Sequence, residues 1–345
     1  MKIAIISTID PFLKGGGKLQ FQNLYNILKK YYQNVELFFL PSSYELEELE
    51  NQINSLQKLQ INSDILITSR PLSYYIKHPY KIVWFMHHIS YFYEFSNAKL
   101  NPYINHPNFQ IVKQKFIERD TQQLKESKKI FSVSEFVSQK LKLYNQISSQ
   151  VLYPPLCNID NFFCNQYSDF FFLPSLITFT KRQHLIIEAL LYTKNPIKLI
   201  LAGQVDTKYY KKYIKPLLKH KKIFQNLQII PNFITYEKYK YYANCLGVIF
   251  TPINEAFGYV ILESFFSSKP VITTNDSGGP TELVKNNING FILNPSPQEI
   301  AQIMDTLYEN RNAAMKLGKN AQEYAHLYFN PQKSEKEIIN ALISG

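Results

Sequence analysis

Short apolar, β-branched runs alternate with stretches of helical periodicity almost from one end of the chain to the other. That alternation confines the fold to the α/β class, because strands joined by helices build parallel, doubly wound sheets. In the first half it predicts strands at Ile3–Ser7, Val35–Phe39, Asp64–Thr68, Lys81–Phe85, Lys129–Val133 and Gln150–Tyr153. Helices are predicted between them at Leu19–Tyr31, Tyr44–Leu59, Phe109–Ser127 and Glu135–Tyr144. Pro154-Pro155 can continue neither element, and a loop-like stretch follows through Ser168. The alternation then restarts with Phe170–Pro174, a helix from Lys181, Ile197–Ala202, Leu227–Ile230, Gly247–Thr251 and Pro270–Thr273. Two Rossmann-like domains, residues 1–155 and 166–328, with a hinge at 154–168, are the economical reading. Helices at Ala301–Asn310 and Asn312–Tyr328 end the second domain, and Asn330-Pro331 breaks the pattern. A last helix is predicted at Ser334–Ile343, with Ile338, Ile339, Leu342 and Ile343 as its apolar stripe.

Composition agrees and removes several classes of function. A chain of 345 residues suits two domains of roughly 100–200 residues each. With 45% apolar and 19% charged residues it is globular. No apolar run approaches the ~18–20 residues of a membrane-spanning helix. Met1–Ser7 is too short for a signal peptide and reads as a first buried strand. The net charge is +11, yet only Arg70, Arg119, Arg182 and Arg311 are arginines, and the basic residues spread evenly along the chain. Nucleic-acid readers lean on arginine forks, so a nucleic-acid partner is not expected. Weak attraction to anionic lipid surfaces fits the charge better. Cys157, Cys164 and Cys245 form no zinc spacing or disulfide framework. A reducing cytoplasm, with peripheral attachment to the inner face of the membrane, is the expected setting. The seven lysines between Lys208 and Lys222 read as a solvated helix face.

Several familiar motifs fail. Lys14-Gly15-Gly16-Gly17-Lys18 is no P-loop, since Phe12 stands where the first glycine belongs, and Gln20 spoils a dinucleotide fingerprint. There is no G-x-S-x-G, no H-E-x-x-H and no D-x-D pair for a metal diphosphate. Gly15-Gly16 remains a glycine-rich turn before a first helix, where backbone N–H groups can approach an anion. A bare structural turn is the alternative.

The strongest signal is Glu255-Ala256-Phe257-Gly258-Tyr259-Val260-Ile261-Leu262-Glu263, followed by Lys269-Pro270-Val271-Ile272 and Asp276-Ser277-Gly278-Gly279-Pro280. Phe257-Gly258 opens a helix whose first turn offers N–H groups and a positive dipole end. Glu263 lies among Val260, Ile261, Leu262, Phe265 and Phe266. An unpaired carboxylate in that company is costly, so it must face a polar partner, and a ligand rich in hydroxyls would supply one.

Two glutamates separated by seven residues around Phe-Gly resemble the signature of the family 4 glycosyltransferases of GT-B fold. The resemblance covers most of the chain. Gly15-Gly16 with Asn23-Leu24 resembles that family's glycine turn. Trp84-Phe85-Met86-His87-His88 with Tyr93-Glu94 resembles its acceptor-domain histidine segment. Ile130–Ser134 with Glu135 resembles its strand-then-serine pattern, and Tyr153-Pro154-Pro155 its run into the hinge. Lys181-Arg182-Gln183-His184 resembles the start of its diphosphate helix.

The resemblance implies a transferase moving a sugar from a UDP- or GDP-linked donor to a glycan or lipid-linked acceptor, with retention of configuration. No cofactor or metal is implied. Glu263 would bind the ribose hydroxyls. Glu255 would contact the transferred sugar, with Phe257, Gly258 and Val260 near sugar and diphosphate. Lys181 would neutralise the departing diphosphate, and Gly15 and Gly16 would lie by the donor. The backbone around Pro231-Asn232-Phe233 would cradle the base. His87 would face the reacting carbon from the other domain, across an interdomain cleft. The terminal segment 331–345 would cross back onto the first domain, and cell-envelope polysaccharide synthesis is the implied setting. One position departs from the pattern: Leu176 stands where relatives place an arginine, with Arg182 as the candidate compensating cation. An epimerase or phosphorylase on the same scaffold, or a non-catalytic nucleotide-sugar-binding subunit, are the alternatives.

Overall fold

A computed structural model of the chain describes residues 1–9, 16–98, 101–231 and 235–343. The chain forms two compact units, Met1–Pro155 together with the segment from Ser334 onward, and Leu156–Lys333.

In the first unit the order is β1 (Lys2–Ile9), α1 (Gly16–Tyr31), β2 (Asn34–Pro41), α2 (Leu46–Gln57), β3 (Ile65–Thr68), β4 (Lys81–Phe85), α3 (Phe109–Lys125), β5 (Lys129–Ser132), α4 (Glu135–Asn145) and β6 (Gln150–Val151). The six strands run parallel in the order β2-β1-β3-β4-β5-β6. Ile3 of β1 pairs with Val35 on one side and Ile65 on the other. Ile3, Ala4, Ile5 and Ile6 are all buried, as a parallel strand covered on both faces requires. Helix α4 starts at Ser134, whose Oγ accepts from the Val137 N–H at 3.1 Å, and stops at Gln146 in the left-handed region. Asn23 on α1 donates to the Pro155 carbonyl at 3.0 Å and so ties that helix to the end of the unit.

The second unit holds β7 (Phe170–Pro174), α5 (Gln183–Tyr192), β8 (Lys198–Ala202), α6 (Thr207–Tyr209), α7 (Lys221–Asn226), β9 (Leu227–Ile230), α8 (Thr235–Asn244), β10 (Gly247–Ile249), α9 (Tyr259–Phe266), β11 (Val271–Thr274), α10 (Pro280–Leu283), β12 (Gly290–Leu293), α11 (Pro297–Glu309) and α12 (Arg311–Tyr328). Its six parallel strands are ordered β12-β11-β10-β7-β8-β9. The chain runs outward from β7 to β9, then returns to the centre with β10 and runs the other way. That is the arrangement of a Rossmann sheet.

Two expected elements differ in their details. The lysine-rich stretch is broken into α6, a π turn (Tyr210–Ile214), a 3-10 turn (Leu217–Lys219) and α7, because Pro216 cannot extend a helix. Pro331 does more than break a pattern. It opens the last helix, α13 (Pro331–Ile343), where its missing N–H costs nothing, and Asn330 Oδ1 accepts from the Gln332 N–H at 2.9 Å. Along α13, Ile338 and Leu342 are buried, while Glu335 accepts from Lys30 at 2.5 Å and from Tyr31 at 2.8 Å.

Candidate active site

In a doubly wound sheet the connections leave opposite faces on either side of the strand where the order reverses, which opens a crevice at the carboxyl ends of the flanking strands. In the second unit those strands are β7 and β10. The loop after β7 carries Lys181, and the loop after β10 carries Glu255. Their side chains form an ion pair, with the Lys181 ammonium also 5.4 Å from the centre of the Phe250 ring. Both retain partial exposure, 19% for Lys181 and 25% for Glu255, so the pair is accessible to a ligand.

A second pair of loops shapes the same edge. Glu255 N–H donates to the Ser277 carbonyl and Gly279 N–H to the Glu255 carbonyl, each at 2.9 Å. This zips the loop after β10 to the loop after β11. Gly279 permits the approach, since a Cβ there would lie 2.5 Å from the Ala256 carbonyl oxygen. Gly258 caps α9 at φ 91°, a left-handed conformation that glycine alone adopts without strain. Phe257 and Val260 are buried, and Phe257 packs edge-on against Tyr259. The first turn of α9 is thereby held at the carboxyl edge of the sheet, beside Glu255. Four N–H groups at a helix start lack intrahelical partners and carry a partial positive charge, so this edge suits an anion.

Arg182 is buried and stands in the left-handed region, at φ 52°. Its Nε donates to the Thr251 carbonyl at 2.8 Å and its Nη2 to the Pro252 carbonyl at 3.0 Å. Both Nη groups reach Asp276, each at 2.7 Å, and Nη2 also reaches Thr274 Oγ1 at 2.7 Å. The fork therefore joins the three loops that follow β7, β10 and β11. Asp276 is pulled below the usual carboxylate range by that guanidinium, against the opposing effect of burial. The geometry gives Arg182 the work of aligning the site. The Leu176 carbonyl accepts from Gln183 Nε2 at 2.8 Å.

Glu263 lies inside α9, with its side chain 6% exposed. Its partners are two residues of α8 that sequence reasoning missed. Lys238 Nζ donates to Oε1 at 2.5 Å and Tyr242 Oη to Oε2 at 2.8 Å. Lys238 also lies over the rings of Phe162 and Tyr239, at 5.6 and 5.7 Å. Tyr242 is fully buried, and burial beside this carboxylate pushes its phenol well above the usual range. The apolar surroundings predicted a polar partner for Glu263, and the protein itself supplies one. Only the four-residue spacing of Lys238 and Tyr242 on one helix face hinted at a shared target.

The first unit presents His87 just beyond β4. Its Nδ1 lies 2.8 Å from the His88 carbonyl, which can only accept, so Nδ1 carries the proton and Nε2 keeps a lone pair. Burial, reinforced by the Arg70 charge, lowers its pKa to about 4, so the ring is neutral near pH 7. Behind it, His88 Nε2 meets Asn145 Oδ1 at 2.8 Å, and burial lowers that ring to about 3. Asn145 donates to Tyr93 at 3.3 Å. Tyr93 and Tyr74 donate to the fully buried Asp120, at 2.6 and 2.8 Å. Burial raises the Asp120 carboxyl to about 6. The histidine segment thus rests on a buried polar network.

Of the remaining predicted residues, Gly16 is the exposed first residue of α1, and Gly15, Asn232 and Phe233 lie outside the described residues. Among the described residues, no group of three His, Cys, Asp or Glu side chains is placed to hold a metal ion. Nor, among them, is any helix long and apolar enough to cross a membrane.

Residues 165–324, the body of the second unit, match the family model described as glycosyl transferases group 1. Over 221 residues the chain is 24% identical to the alpha-1,3/1,6-mannosyltransferase ALG2 of Homo sapiens, a match covering 57% of this chain and 53% of that protein. The chain thus spans about half the length of this curated relative. Among solved structures it is similar to Alr3699/HepE of Anabaena, with TM-score 0.72 and 18% identity over 100% of both chains. It also resembles sucrose-phosphate synthase of Thermosynechococcus elongatus, with TM-score 0.79 and 13% identity over 98% of this chain and 97% of that one. The chain thus has the two-sheet GT-B fold of these solved structures, and its second unit matches the model of the glycosyl transferases group 1.

Proposed function

We propose that the protein transfers a hexose from a UDP- or GDP-linked donor to a glycan or lipid-linked acceptor, retaining the anomeric configuration and using no metal ion, in the manner of the family 4 enzymes. The observation that carries the proposal is the Lys181–Glu255 pair at the reversal point of the second sheet, beside the start of α9. A cation and helix N–H groups together suit the charge that a diphosphate gathers on leaving. Glu255 accepts hydroxyls of the transferred sugar, and Glu263 those of the ribose. The bond from the anomeric carbon to the diphosphate oxygen breaks, with Lys181 moving from Glu255 to the departing oxygens. The acceptor oxygen bonds the same carbon and its proton passes to the leaving diphosphate. The neutral His87, with Nε2 free to accept, suits a sugar hydroxyl.

The mannosyltransferase activity named for ALG2 and the UDP and UDP-glucose complexes of the Anabaena protein support this donor class. The fold and the charge of +11 suit work at an anionic membrane surface, in the synthesis of envelope glycans. The test is a panel of nucleotide sugars incubated with lipid-linked oligosaccharides in the presence of a chelator. Nucleoside diphosphate released only with acceptor, and a product of unchanged anomeric configuration by NMR, are expected. Epimerised donor without transfer would assign the chain to the other enzyme class. Binding of donor without turnover under any condition would make it a binding subunit.

A further inference from the structure

The lysine-rich stretch after β8 reads as a solvated face, yet one of its tyrosines is buried. Tyr209, in α6, is 4% exposed, while Lys208, Lys211 and Lys212 around it face solvent. Asp206 fixes this turn twice. Its Oδ1 accepts from the Tyr209 N–H at 2.9 Å, and its own N–H donates to the Ile177 carbonyl at 3.0 Å. The Tyr209 phenol then reaches the start of α5, where its Oη accepts from the His184 backbone N–H at 2.9 Å and lies 2.8 Å from His184 Nδ1. Burial raises the phenol above its ordinary value, and burial with the Arg182 charge lowers the His184 ring, so near pH 7 both are neutral. With a lone pair of Oη on the backbone donor, its proton is left to donate to Nδ1.

The His184 ring closes an aromatic cluster over the loop after β7. Its centre lies 6.1 Å from that of Phe179, on which it stacks, and 5.4 Å from that of Tyr213. Phe179 and Tyr213 pack on each other at 5.5 Å. Phe179 opens the 3-10 turn Phe179–Lys181, in which the Lys181 N–H donates to the Thr178 carbonyl at 3.1 Å. From the other side the Ile253 N–H, in the loop after β10, donates to the Thr180 carbonyl at 2.8 Å. Between turn and helix stands Arg182 at φ 52°, a conformation that persists where its surroundings over-determine it. The Arg182 guanidinium is committed to Asp276 and to two carbonyls, so Lys181 is the cation that this turn presents.

We propose, on the reading that Lys181 receives the donor diphosphate, that Tyr209 is a positioning residue for the transfer. Its hydroxyl clamps the first turn of α5 and, through His184 and Phe179, holds the turn that aims Lys181. Tyr209 acts through that cation and touches no reacting atom. A lysine side chain loses rotamer freedom when it grips an anion, and a fixed turn beneath it cuts the cost of ordering the contact. Without the hydroxyl the aromatic rings still pack, but the first turn of α5 loses its clamp, and Lys181 must be ordered by the ligand itself.

The test is calorimetric titration of UDP and GDP into four full chains: unaltered, Tyr209→Phe, Lys181→Met and the double variant. For the nucleotide that binds, Tyr209→Phe should weaken affinity about fivefold, the scale of one neutral hydrogen bond. In the Lys181→Met background the same change should alter affinity by less than about twofold, because no cation is left to position. A merely structural role would give the same loss in both backgrounds, and that result would overturn the proposal. So would a Tyr209→Phe chain that binds as tightly as the unaltered one while Lys181→Met weakens binding, an outcome that leaves the donor reading standing. Binding of neither nucleotide by the unaltered chain, or binding that Lys181→Met leaves unchanged, would overturn the donor reading and this positioning role together. Should Tyr209→Phe not melt cooperatively, Phe179→Leu, which removes the stack and keeps the phenol, takes its place in the same four measurements.

Discussion

Replacing Lys238 with Met would strip Glu263 of its cation while leaving the carboxylate in a site where its side chain is 6% exposed. Tyr242 would remain as a donor to Oε2, but Oε1 would lose the ammonium that donates to it. Removing one member of a buried ion pair costs about 3–5 kcal/mol, because the other charge stays behind unpaired. Lys238 keeps 17% side-chain exposure, which admits some water to the gap and places the loss near the lower end, about 3 kcal/mol. For a unit the size of Leu156–Lys333, each kcal/mol lowers Tm by about 2–4 °C, so a drop of roughly 6–12 °C is expected. Lys238→Met combined with Glu263→Gln removes both charges and should recover most of that loss. The measurement is a double-mutant cycle in urea, with thermal melts alongside, and a coupling of about 2–3 kcal/mol is expected. A Lys238→Met chain that melts within a degree of the unaltered one, or additive effects in the double variant, would refute the reasoning.

Three further outcomes are expected. Arg182→Met should cost about 2 kcal/mol in urea unfolding, since it leaves the carbonyls of Thr251 and Pro252 without their donors while Asp276, 42% exposed, turns to water, and Arg182→Lys should restore little because a lysine cannot reproduce the fork. The neutral forms of His87 and His88, held at about 4 and about 3, bind fewer protons in the folded chain than in the unfolded one below pH ~6.5. Stability must therefore fall as the pH drops from about 6.5 toward 4. Asp120, raised to about 6, acts in the opposite sense over part of that range, and the two histidines outweigh it. Urea midpoints that hold constant from pH 7 to 4.5 would contradict the assignment. In steady-state kinetics with the cognate donor, Glu263→Gln should chiefly raise KM and Glu255→Gln chiefly lower kcat, because ribose contacts are equal in ground and transition states. Identical effects on KM alone would remove the division of roles.

The pattern was legible for β1 to β11, which are short, largely apolar, parallel strands, but not for α8 or the four-residue edge strand β12. Lys181, Glu255, Phe257, Gly258 and Glu263 were legible as a motif. Their partners were not. Lys238 and Tyr242 meet Glu263 because the fold lays α8 beside α9, a contact between residues 25 and 21 positions apart that no local pattern encodes. Arg182 reads as a spare cation beside Lys181, yet its left-handed backbone turns the side chain inward to Asp276. The start of α11 also escaped, because Pro297 reads as a breaker. Ser296 accepts from the Glu299 N–H at 3.3 Å, and the proline simply takes the first helical position. The lysine-rich stretch read as one helix face because composition does not show where a proline and a π turn divide it.

The central claim is that the second unit holds a nucleoside diphosphate through the start of α9, Lys181 and Glu263, with no metal between them. Calorimetric titration of UDP and GDP into the chelator-treated full chain tests it most directly, with Glu263→Gln and Lys181→Met measured beside it. The account predicts that one of the two nucleotides binds with unchanged affinity before and after chelation, and at least about tenfold more weakly in each variant, a loss of about 1.4 kcal/mol or more. Binding that appears only when magnesium or manganese is restored, or that neither substitution weakens, would contradict it.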